Sequence, residues 1–370
     1  MLTIRTVKSK SQLKKFVKFP WRIYRKNSNW VPPLIGDRMK FLNKKKNPFF
    51  HHSDAELFLA EKNGDIVGRI AAIRYSRHLE TYHDNTGFFG FFECIENQQV
   101  ANALFDRTSR FMVDRALTRI RGPMNFTIND EAGLLVDGFD MPPAIMTTYN
   151  PPYYENLIRH YGFEKVQDLF AYRMTAPDAI PERLKRAFQL MEKRYRIRIR
   201  HINMKEFDRE VNRIHEIHMA AWAENWGAVP LTRDEIRIIA EHLKLIIDPE
   251  LVFVVESGDK PVGVSVTIPD ANQAIKHANG RLFPFGLFKI LWYKRHIDAV
   301  RVLIMGVLKE YRHQALDAAM YYKMMEVGMR KGFKWGEMSW ILESNTPMRR
   351  VLENLGAEIY KTYRIYDKEI

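Results

Sequence analysis

The sequence has little cysteine and no long apolar run, and each shortage excludes a class of protein. A single cysteine, Cys94, cannot form an internal disulfide, which argues against a disulfide-stabilised secreted domain and indicates a reducing compartment. No run reaches the roughly 18 apolar residues of a transmembrane helix. The first residues lack the apolar segment of a secretory signal. We therefore expect a cytoplasmic protein.

Several catalytic motifs are also missing. The chain has neither a GxxxxGK[ST] phosphate loop nor a GxSxG nucleophile elbow, so an ATPase or a serine hydrolase of those types is not supported. His51, His52 and His83 do not have the spacing of metal ligands. We expect no metal site.

Acidic residues are outnumbered, with 44 Asp and Glu against 58 Lys and Arg, a formal net charge of +14. The positive field favours anionic partners such as nucleic acid, anionic lipid head groups or phosphorylated co-substrates. No basic and aromatic patch is dense enough to indicate RNA binding, so we expect no nucleic-acid partner. A length of 370 residues favours two domains.

The second half predicts a mixed α/β order of elements. Turn residues Gly258 and Asp259 indicate a hairpin, and Thr232 is a helix cap. The predicted elements are a strand at 196–202, helices at 205–225 and from 233, the hairpin at 251–268, a buried strand at 299–308, a helix at 314–330, a strand at 334–342, a helix at 346–355 and strands at 358–361 and 363–366.

The first half repeats this order, with a hairpin at 55–75, a buried strand at 87–94 and a helix at 98–117. Residues 150–173 also match residues 345–367. The interval from Gly162 to Tyr172 equals that from Gly356 to Tyr366. The sequence therefore predicts a duplicated module. We expect modules at 1–175 and 196–370, joined by a helical linker at 176–195.

This duplicated order resembles the GCN5-related N-acetyltransferase (GNAT) superfamily. The resemblance implies two modules, each a mixed, mostly antiparallel sheet flanked by helices. It also implies a loop after the fourth strand whose backbone N–H groups, at a helix N-terminus, bind the pyrophosphate of coenzyme A.

In the second half that loop follows the strand 299–308. Arg312 fits the family pattern, whereas Ala315 and Asp317 replace its glycines. An ordinary strand-to-helix turn is the alternative. The residues assigned to acyl-CoA by the resemblance are Gly306, Val307, Leu308, Arg312, His313, Gln314, Ala315, Leu316, Asp317 and Asn345.

The equivalent loop of the first half has no arginine or glycine, and Glu93 and Glu96 add negative charge that repels a diphosphate. We therefore expect acyl-CoA in the second module only.

The resemblance also implies a tyrosine that protonates the departing thiolate, but Leu352 stands at its expected position. Tyr363 is one substitute, together with Tyr360 and Tyr366, although tyrosines on a closing strand are more often part of the core.

A general base is needed because an alkylammonium group is almost fully protonated at neutral pH. Glu337, on the predicted fifth strand, is one candidate. Glu131 or Asp137, in an acidic insertion at 125–154, is another, since such a loop could receive a cationic amine. Exposed or turn-forming roles are the alternatives for these residues.

The whole chain resembles a bacterial family of double GNAT-like proteins, through the strings "WVPPL", "NPFFHH", "FGFFE", "GPMNFTINDEAGLLVDGFDMPP" and "MSWILESN". The resemblance implies an acyl-CoA-dependent N-acyltransferase similar to bacterial ceramide synthases, which acylate a sphingoid-base amine. A Fem-like aminoacyltransferase, or a non-catalytic lipid or protein binding module with decayed CoA sites, is the alternative.

The stretch "RLFPFGLFKILWYKRHID", residues 281–298, is an aromatic and aliphatic insertion with basic residues at both ends. Pro284, Gly286 and Lys289 interrupt it, so it cannot span a bilayer. It predicts either contact with the inner membrane surface or a roof over an acyl-chain tunnel, and burial in the core is the alternative.

Overall fold

A computed structural model describes residues 1–194, 197–312 and 316–370. One sheet contains thirteen strands, which are β1 (Leu2–Thr6), β2 (Asp54–Lys62), β3 (Asp65–Arg74), β4 (Thr86–Cys94), β5 (Arg119–Gly122), β6 (Leu134–Asp137), β7 (Glu164–Thr175), β8 (Ile197–His201), β9 (Val252–Ser257), β10 (Lys260–Pro269), β11 (Ala299–Val307), β12 (Trp335–Leu342) and β13 (Glu358–Glu369). The α-helices of the described residues are α1 (Lys10–Lys18), α2 (Pro20–Ile23), α3 (Ile35–Phe41), α4 (Ser76–Tyr82), α5 (Gln98–Val113), α6 (Tyr154–His160), α7 (Glu182–Arg194), α8 (Phe207–Trp222), α9 (Arg233–Leu243), α10 (Asn272–Ile275), α11 (Gly286–Tyr293), α12 (Leu316–Arg330) and α13 (Thr346–Asn354).

Local sequence signals account for much of this element order. Asn63 and Gly64 both have positive φ angles, as the two-residue turn between β2 and β3 requires. Thr232 and Glu235 form a capping box at the start of α9. The two predicted closing strands are instead one strand, β13, because Thr362 between them pairs with Phe170 of β7.

The sheet order is β1-β2-β3-β4-β5-β13-β7-β12-β11-β10-β9-β8, and β6 pairs with β13. Neighbouring strands are antiparallel except in two pairs, β4 with β5 and β11 with β12. Helices flank the sheet. The predicted fold class, mixed α/β with mostly antiparallel strands, is confirmed.

The two halves exchange their last strands. β7, from the first half, pairs with β12 of the second half. β13, from the second half, pairs with β5 of the first half and with β7. The sheet is therefore continuous between the halves, and we retain 1–175, 176–195 and 196–370 as a proposal for the duplicated units and their linker. In the linker, Phe188 of α7 stacks on Tyr322 of α12 at a ring distance of 4.8 Å.

Each half contains one place where two parallel strands separate. β4 pairs with β5 only over 86–88. Further along β4, its register with β3 shifts between the pair Gly90–Ala71 and the pair Glu93–Arg69. β11 pairs with β12 only over 299–302, and a register shift follows at the partners Val266 and Thr267 of β10. Both halves therefore open a cleft beside their fourth strand.

The core consists of clusters on both faces of the sheet. In β4, Phe89 and Phe92 pack towards α5 and α6, whereas Phe88 and Phe91 pack with the α1 and α3 side. Among the described residues, no helix is both long enough and apolar enough to cross a bilayer.

Candidate active site

A cavity of about 790 Å³ lies between the two halves. Most of its wall comes from the first half, and α9 and α10 of the second half complete it. Apolar side chains such as Val17, Phe41, Phe91, Ile239 and Ile246 line it. The volume is in the range of small-molecule sites, and the apolar wall suits a hydrocarbon chain.

One polar group in the cavity wall is built around Glu93, the last but one residue of β4. Its Oε2 atom accepts hydrogen bonds from the hydroxyls of Tyr24 (2.9 Å) and Tyr154 (2.7 Å), and its Oε1 atom lies 3.4 Å from Arg69 Nη2. The Cys94 N–H donates to the Tyr154 hydroxyl at 2.9 Å. Burial raises the pKa of Glu93, although Arg69 and the two tyrosines oppose the shift. This carboxyl group is held in one orientation by three donors.

A second polar group contains Glu131, one of the predicted bases. Its Oε1 atom is 2.6 Å from Arg38 Nη2, and its Oε2 atom accepts a hydrogen bond from Asn125 Nδ2 at 3.1 Å. Burial acts to raise the pKa of Glu131, but the Arg38 charge and the hydrogen bonds outweigh burial and lower it. Glu131 therefore lies in the cavity wall as a paired carboxylate.

Asp130, the neighbour of Glu131, also lines the cavity. Its Oδ2 atom accepts hydrogen bonds from the Thr127 N–H (3.1 Å) and hydroxyl (2.8 Å). Both of these hydrogen bonds go to the same carboxyl oxygen. Burial raises the pKa of Asp130 to about 7. Asp130 is thus a carboxyl group that can exchange a proton near neutral pH.

Sequence analysis did not identify Glu93, Arg69, Arg38 or Tyr24 as site residues. Glu93 could have been identified as a candidate, because it is the one charged residue in β4, whose nine residues are all buried. A charged residue in such a strand often has a functional role. Arg38 and Tyr24 come from short helices and their ends before β2, where composition carries no comparable signal.

The predicted acyl-CoA residues before the loop lie at the end of β11. Gly306 faces α8, and a Cβ atom there would be 2.3 Å from the Trp222 ring, so the position requires glycine. Val307 belongs to a core cluster, and Leu308 packs against it. These three residues shape the strand end and its contact with α8.

The predicted loop itself is only partly described. Arg312 is exposed, and its side chain donates to the carbonyls of Val307 (3.3 Å) and Ala221 (3.1 Å). His313, Gln314 and Ala315 lie outside the described residues. In the first turn of α12, Leu316 is buried and Asp317 is exposed.

Cavity and loop are linked through the core. Ile145, Leu243 and Ile246 line the cavity and pack in the same cluster as Leu303 and Ile304 of β11. β11 and the cavity wall therefore share one apolar cluster.

Glu337, the other predicted base, is fully buried on β12 and is not part of the cavity wall. Its Oε1 atom accepts from the Ser339 hydroxyl at 2.5 Å and lies 3.4 Å from Arg301 Nε, and its Oε2 atom accepts from the Tyr360 hydroxyl. Glu337 is therefore held by Ser339, Arg301 and Tyr360 away from the cavity wall, and its role as a base stays a prediction.

The surroundings of Glu337 fasten the 125–154 insertion to the sheet. Arg301 donates to the Ile145 carbonyl, and the buried Lys361 ammonium donates to the carbonyls of Gly138 (2.9 Å) and Met141 (2.5 Å). Tyr363 is fully buried nearby, and its hydroxyl has no partner among the described residues. Burial raises the pKa of Tyr363, and its role as the proton donor stays a prediction.

Asn345 caps α13, where its side-chain oxygen accepts from the Met348 N–H at 3.3 Å. This is a helix-capping role. Among the residues that the structure describes, no group of three or more His, Cys, Asp or Glu side chains could hold a metal ion.

Comparison with solved structures identifies the class of protein. A tandem GNAT protein from the clavulanic acid biosynthesis pathway superposes with a TM-score of 0.58 at 11% identity, covering 100% of this chain and 98% of that one. At that identity the likeness shows the fold, a tandem GNAT fold. No family model matches the chain.

Sequence relatives then give the family. The chain is 36% identical to the bacterial ceramide synthase of Caulobacter vibrioides over 380 residues, which cover 100% of this chain and 98% of the relative. It is also 36% identical to protein YghO of Escherichia coli over 374 residues, which cover 99% and 95% of the two chains. The chain belongs to the bacterial ceramide synthase-like family of tandem GNAT proteins and is an N-acyltransferase.

Proposed function

We propose that the protein transfers an acyl group from acyl-CoA to the amine of a long-chain lipid such as a sphingoid base, and that the reaction takes place in the cavity between the halves. One observation carries the proposal: the cavity combines an apolar wall with six carboxyl side chains, those of Asp37, Glu93, Asp130, Glu131, Glu235 and Glu241. A lipid amine presents the complementary combination, an alkyl chain and a cationic head. The relative's name, ceramide synthase, agrees with this acceptor.

The acyl donor belongs to the second half in this proposal. The exposed Arg312 and the N-terminus of α12 favour a pyrophosphate at the end of β11. The side chain of Asp317 is exposed, so it can point into solvent and leave the helix N-terminus to the anion. The acyl chain would then reach the cavity along Leu303 and Ile304, which pack against the cavity-lining residues.

Acyl transfer requires the amine to lose protons. A free alkylammonium group is less than about 0.1% neutral at pH 7, so a proton acceptor beside the nitrogen accelerates the reaction. Asp130 supports this role best, because it lines the cavity, its hydrogen bonds from Thr127 go to Oδ2, and burial raises its pKa to about 7. Glu131, paired with Arg38, supplies a fixed negative charge for the incoming ammonium group.

The proposed step balances without a further reactant. The ammonium group first loses one proton to solvent. The neutral amine nitrogen then attacks the thioester carbonyl carbon, the C–N bond forms, and the C–S bond breaks. Asp130 accepts a proton from the nitrogen and returns it to the departing thiolate, which leaves free CoA. Glu93, Tyr24 and Tyr154 hold the wall beside this step in position.

A purified-protein assay tests the proposal. The protein is incubated with palmitoyl-CoA and sphinganine, and the N-acylated product and free CoA are measured by mass spectrometry. Equal amounts of both products are expected. No amide with palmitoyl-CoA, but an amide when aminoacyl-tRNA replaces it, would favour the Fem-like alternative.

We also propose a cytoplasmic location, with the protein at the inner membrane surface when a lipid amine is the acceptor. The thiol of Cys94 is buried and unpaired with another cysteine, which suits a reducing compartment.

A further inference from the structure

The segment 281–298 exposes its apolar side chains. Fourteen of the sixteen residues at 281–296 are exposed, and only Gly286 and Ile290 turn towards the protein. Phe283 is 87% exposed, Phe285 and Phe288 are each 69% exposed, and Trp292 is 63% exposed. Eight large apolar side chains are exposed in this one segment, so burial in the core is excluded for them. A contiguous exposed patch of this kind marks an interaction surface.

The charge around this patch has one sign. Arg281, Lys289, Lys294 and Arg295 are all exposed, and 281–297 contains no acidic residue. Among the described residues, none of these four cations lies within ion-pair distance of a carboxylate. The patch is therefore apolar with an unneutralised basic border.

The segment is held in a fixed position on the protein. Gly286 packs so closely that a Cβ atom would be 1.7 Å from the Arg281 carbonyl oxygen. The Leu287 N–H donates to the Leu282 carbonyl at 2.8 Å. The rings of Tyr293 and His277 stack at 3.5 Å. α11 therefore presents its exposed side chains from an ordered platform.

That platform adjoins the wall of the cavity. Asn272 and Ile275 of α10 and the segment 30–34 line the cavity. Just before the patch, the Gly280 carbonyl accepts from the Ile35 N–H at 3.0 Å, and Asn279 accepts from the Trp21 indole N–H at 2.9 Å. The hydrogen bond between Ile35 and Gly280 therefore joins the end of the cavity-lining segment 30–34 to the start of the exposed segment.

We propose that 281–298 docks on the surface of an anionic bilayer and holds the cavity mouth against it, so that the lipid amine passes from the bilayer into the cavity. The docking follows from the patch alone, and the passage of the amine rests on the proposed function. An interfacial helix buries apolar side chains at the head-group boundary, and each nearby Lys or Arg is attracted to anionic lipid. A second copy of the chain is a poorer occupant, because two basic borders would repel each other.

Vesicle co-sedimentation tests the docking. The wild-type protein should bind vesicles of phosphatidylcholine with 30% phosphatidylglycerol, and binding should weaken as salt rises, because salt screens charges beyond about 10 Å at 0.1 M. The variant Phe285→Ser, Phe288→Ser, Trp292→Ser should bind about tenfold or more weakly. Because these side chains are exposed, its circular dichroism spectrum and Tm should match those of the wild type.

A matched control changes exposed apolar side chains elsewhere. Val113→Ser with Leu190→Ser, at 62% and 60% exposure, should keep wild-type vesicle binding. Docking is overturned if the triple variant stays folded and binds vesicles normally. It is also overturned if the wild type does not bind the vesicles and sedimentation velocity shows that it forms a dimer, whereas the triple variant is a monomer.

The passage of the amine is tested with one substrate delivered in two ways. Sphinganine embedded in the anionic vesicles should be acylated about tenfold more slowly by the triple variant, whereas sphinganine carried by methyl-β-cyclodextrin should be acylated within about twofold of the wild-type rate. Equal losses with both deliveries would overturn the passage. If the wild type acylates neither preparation, the proposed function fails while sedimentation still decides the docking.

Discussion

Asp130 and Glu131 are adjacent in the chain, yet their surroundings move their pKa values in opposite directions. Burial raises the pKa of Asp130 to about 7, whereas pairing with Arg38 outweighs burial and lowers the pKa of Glu131. Two neighbouring carboxyl groups tuned apart in this way suit two roles, a proton acceptor and a fixed charge. The acid and base assignments follow from environment and not from residue type.

We predict that Asp130→Asn lowers kcat by about 10² or more, since a positioned base contributes about that factor. The wild-type rate should rise as the pH increases through about 7, because Asp130 must lose its proton before it can accept one. The variant should lack this titration at about pH 7, and its rate should instead rise steadily with the neutral fraction of the amine. Since burial disfavours the carboxylate, the Tm of the variant at pH 8 should not fall below that of the wild type.

Asp137→Asn is the control for this experiment. Asp137 belongs to the same insertion but is exposed and outside the cavity wall. It should keep the wild-type rate and pH profile. If Asp130→Asn keeps the wild-type dependence of rate on pH, Asp130 is not the base.

Arg312→Ala should weaken acyl-CoA binding by about 1 to 3 kcal/mol, the value of a charge-assisted hydrogen bond to phosphate. Isothermal titration calorimetry at low salt measures the change. Gln98→Ala, in the equivalent loop of the first half, should leave the affinity unchanged, because its amide only donates to Asn102 and to the Leu157 carbonyl. An unchanged Kd in Arg312→Ala would move the CoA site elsewhere.

Glu131 and Glu337 show how far the sequence could predict the placement of individual site residues. Both were candidates by residue type and position, and Glu131 does line the cavity. Glu337 is instead buried among Ser339, Arg301 and Tyr360. Alternation along a strand predicts which face of the sheet a side chain lies on. Whether that face is buried depends on the insertion packed over it, and the sequence does not reveal this packing.

At the scale of elements, the exchange of β7 and β13 was not predicted. The hairpins and capped helices follow from contacts a few residues apart, and those predictions hold. The exchange depends on pairs such as Asp367 with Arg121, which are far apart in the chain. Either closing strand has the same alternating pattern, so the pattern alone does not decide which half it joins.

The exchange predicts that the halves do not fold alone. Residues 1–175 without the second half lack β13, which lies between β5 and β7 in the sheet. We expect this fragment to show no cooperative urea transition by circular dichroism, and the full chain to unfold in one transition by calorimetry and by tryptophan fluorescence. A fragment that unfolds cooperatively would show that the two units are independent.

At the scale of the whole molecule, duplication and strand exchange create a cavity that neither half contains alone. The first half contributes four carboxyl groups, those of Asp37, Glu93, Asp130 and Glu131, and α9 and α10 of the second half close the wall. The separated strand β11 shares an apolar cluster with that wall and leads to the proposed donor site. Under the proposed function, this arrangement would let a lipid amine and an acyl chain meet away from water.

The location of the acceptor is tested most directly by photoaffinity labelling. A sphingoid base with a diazirine at the end of its chain is bound, irradiated and mapped by peptide mass spectrometry, with unlabelled sphinganine as competitor. We predict competed adducts on the cavity wall, in 30–41 or in α9. A second, apolar pocket lies beneath α12 and is lined by Met324, Met325 and Trp335. Adducts confined to that pocket, with none in the cavity wall, would contradict the account.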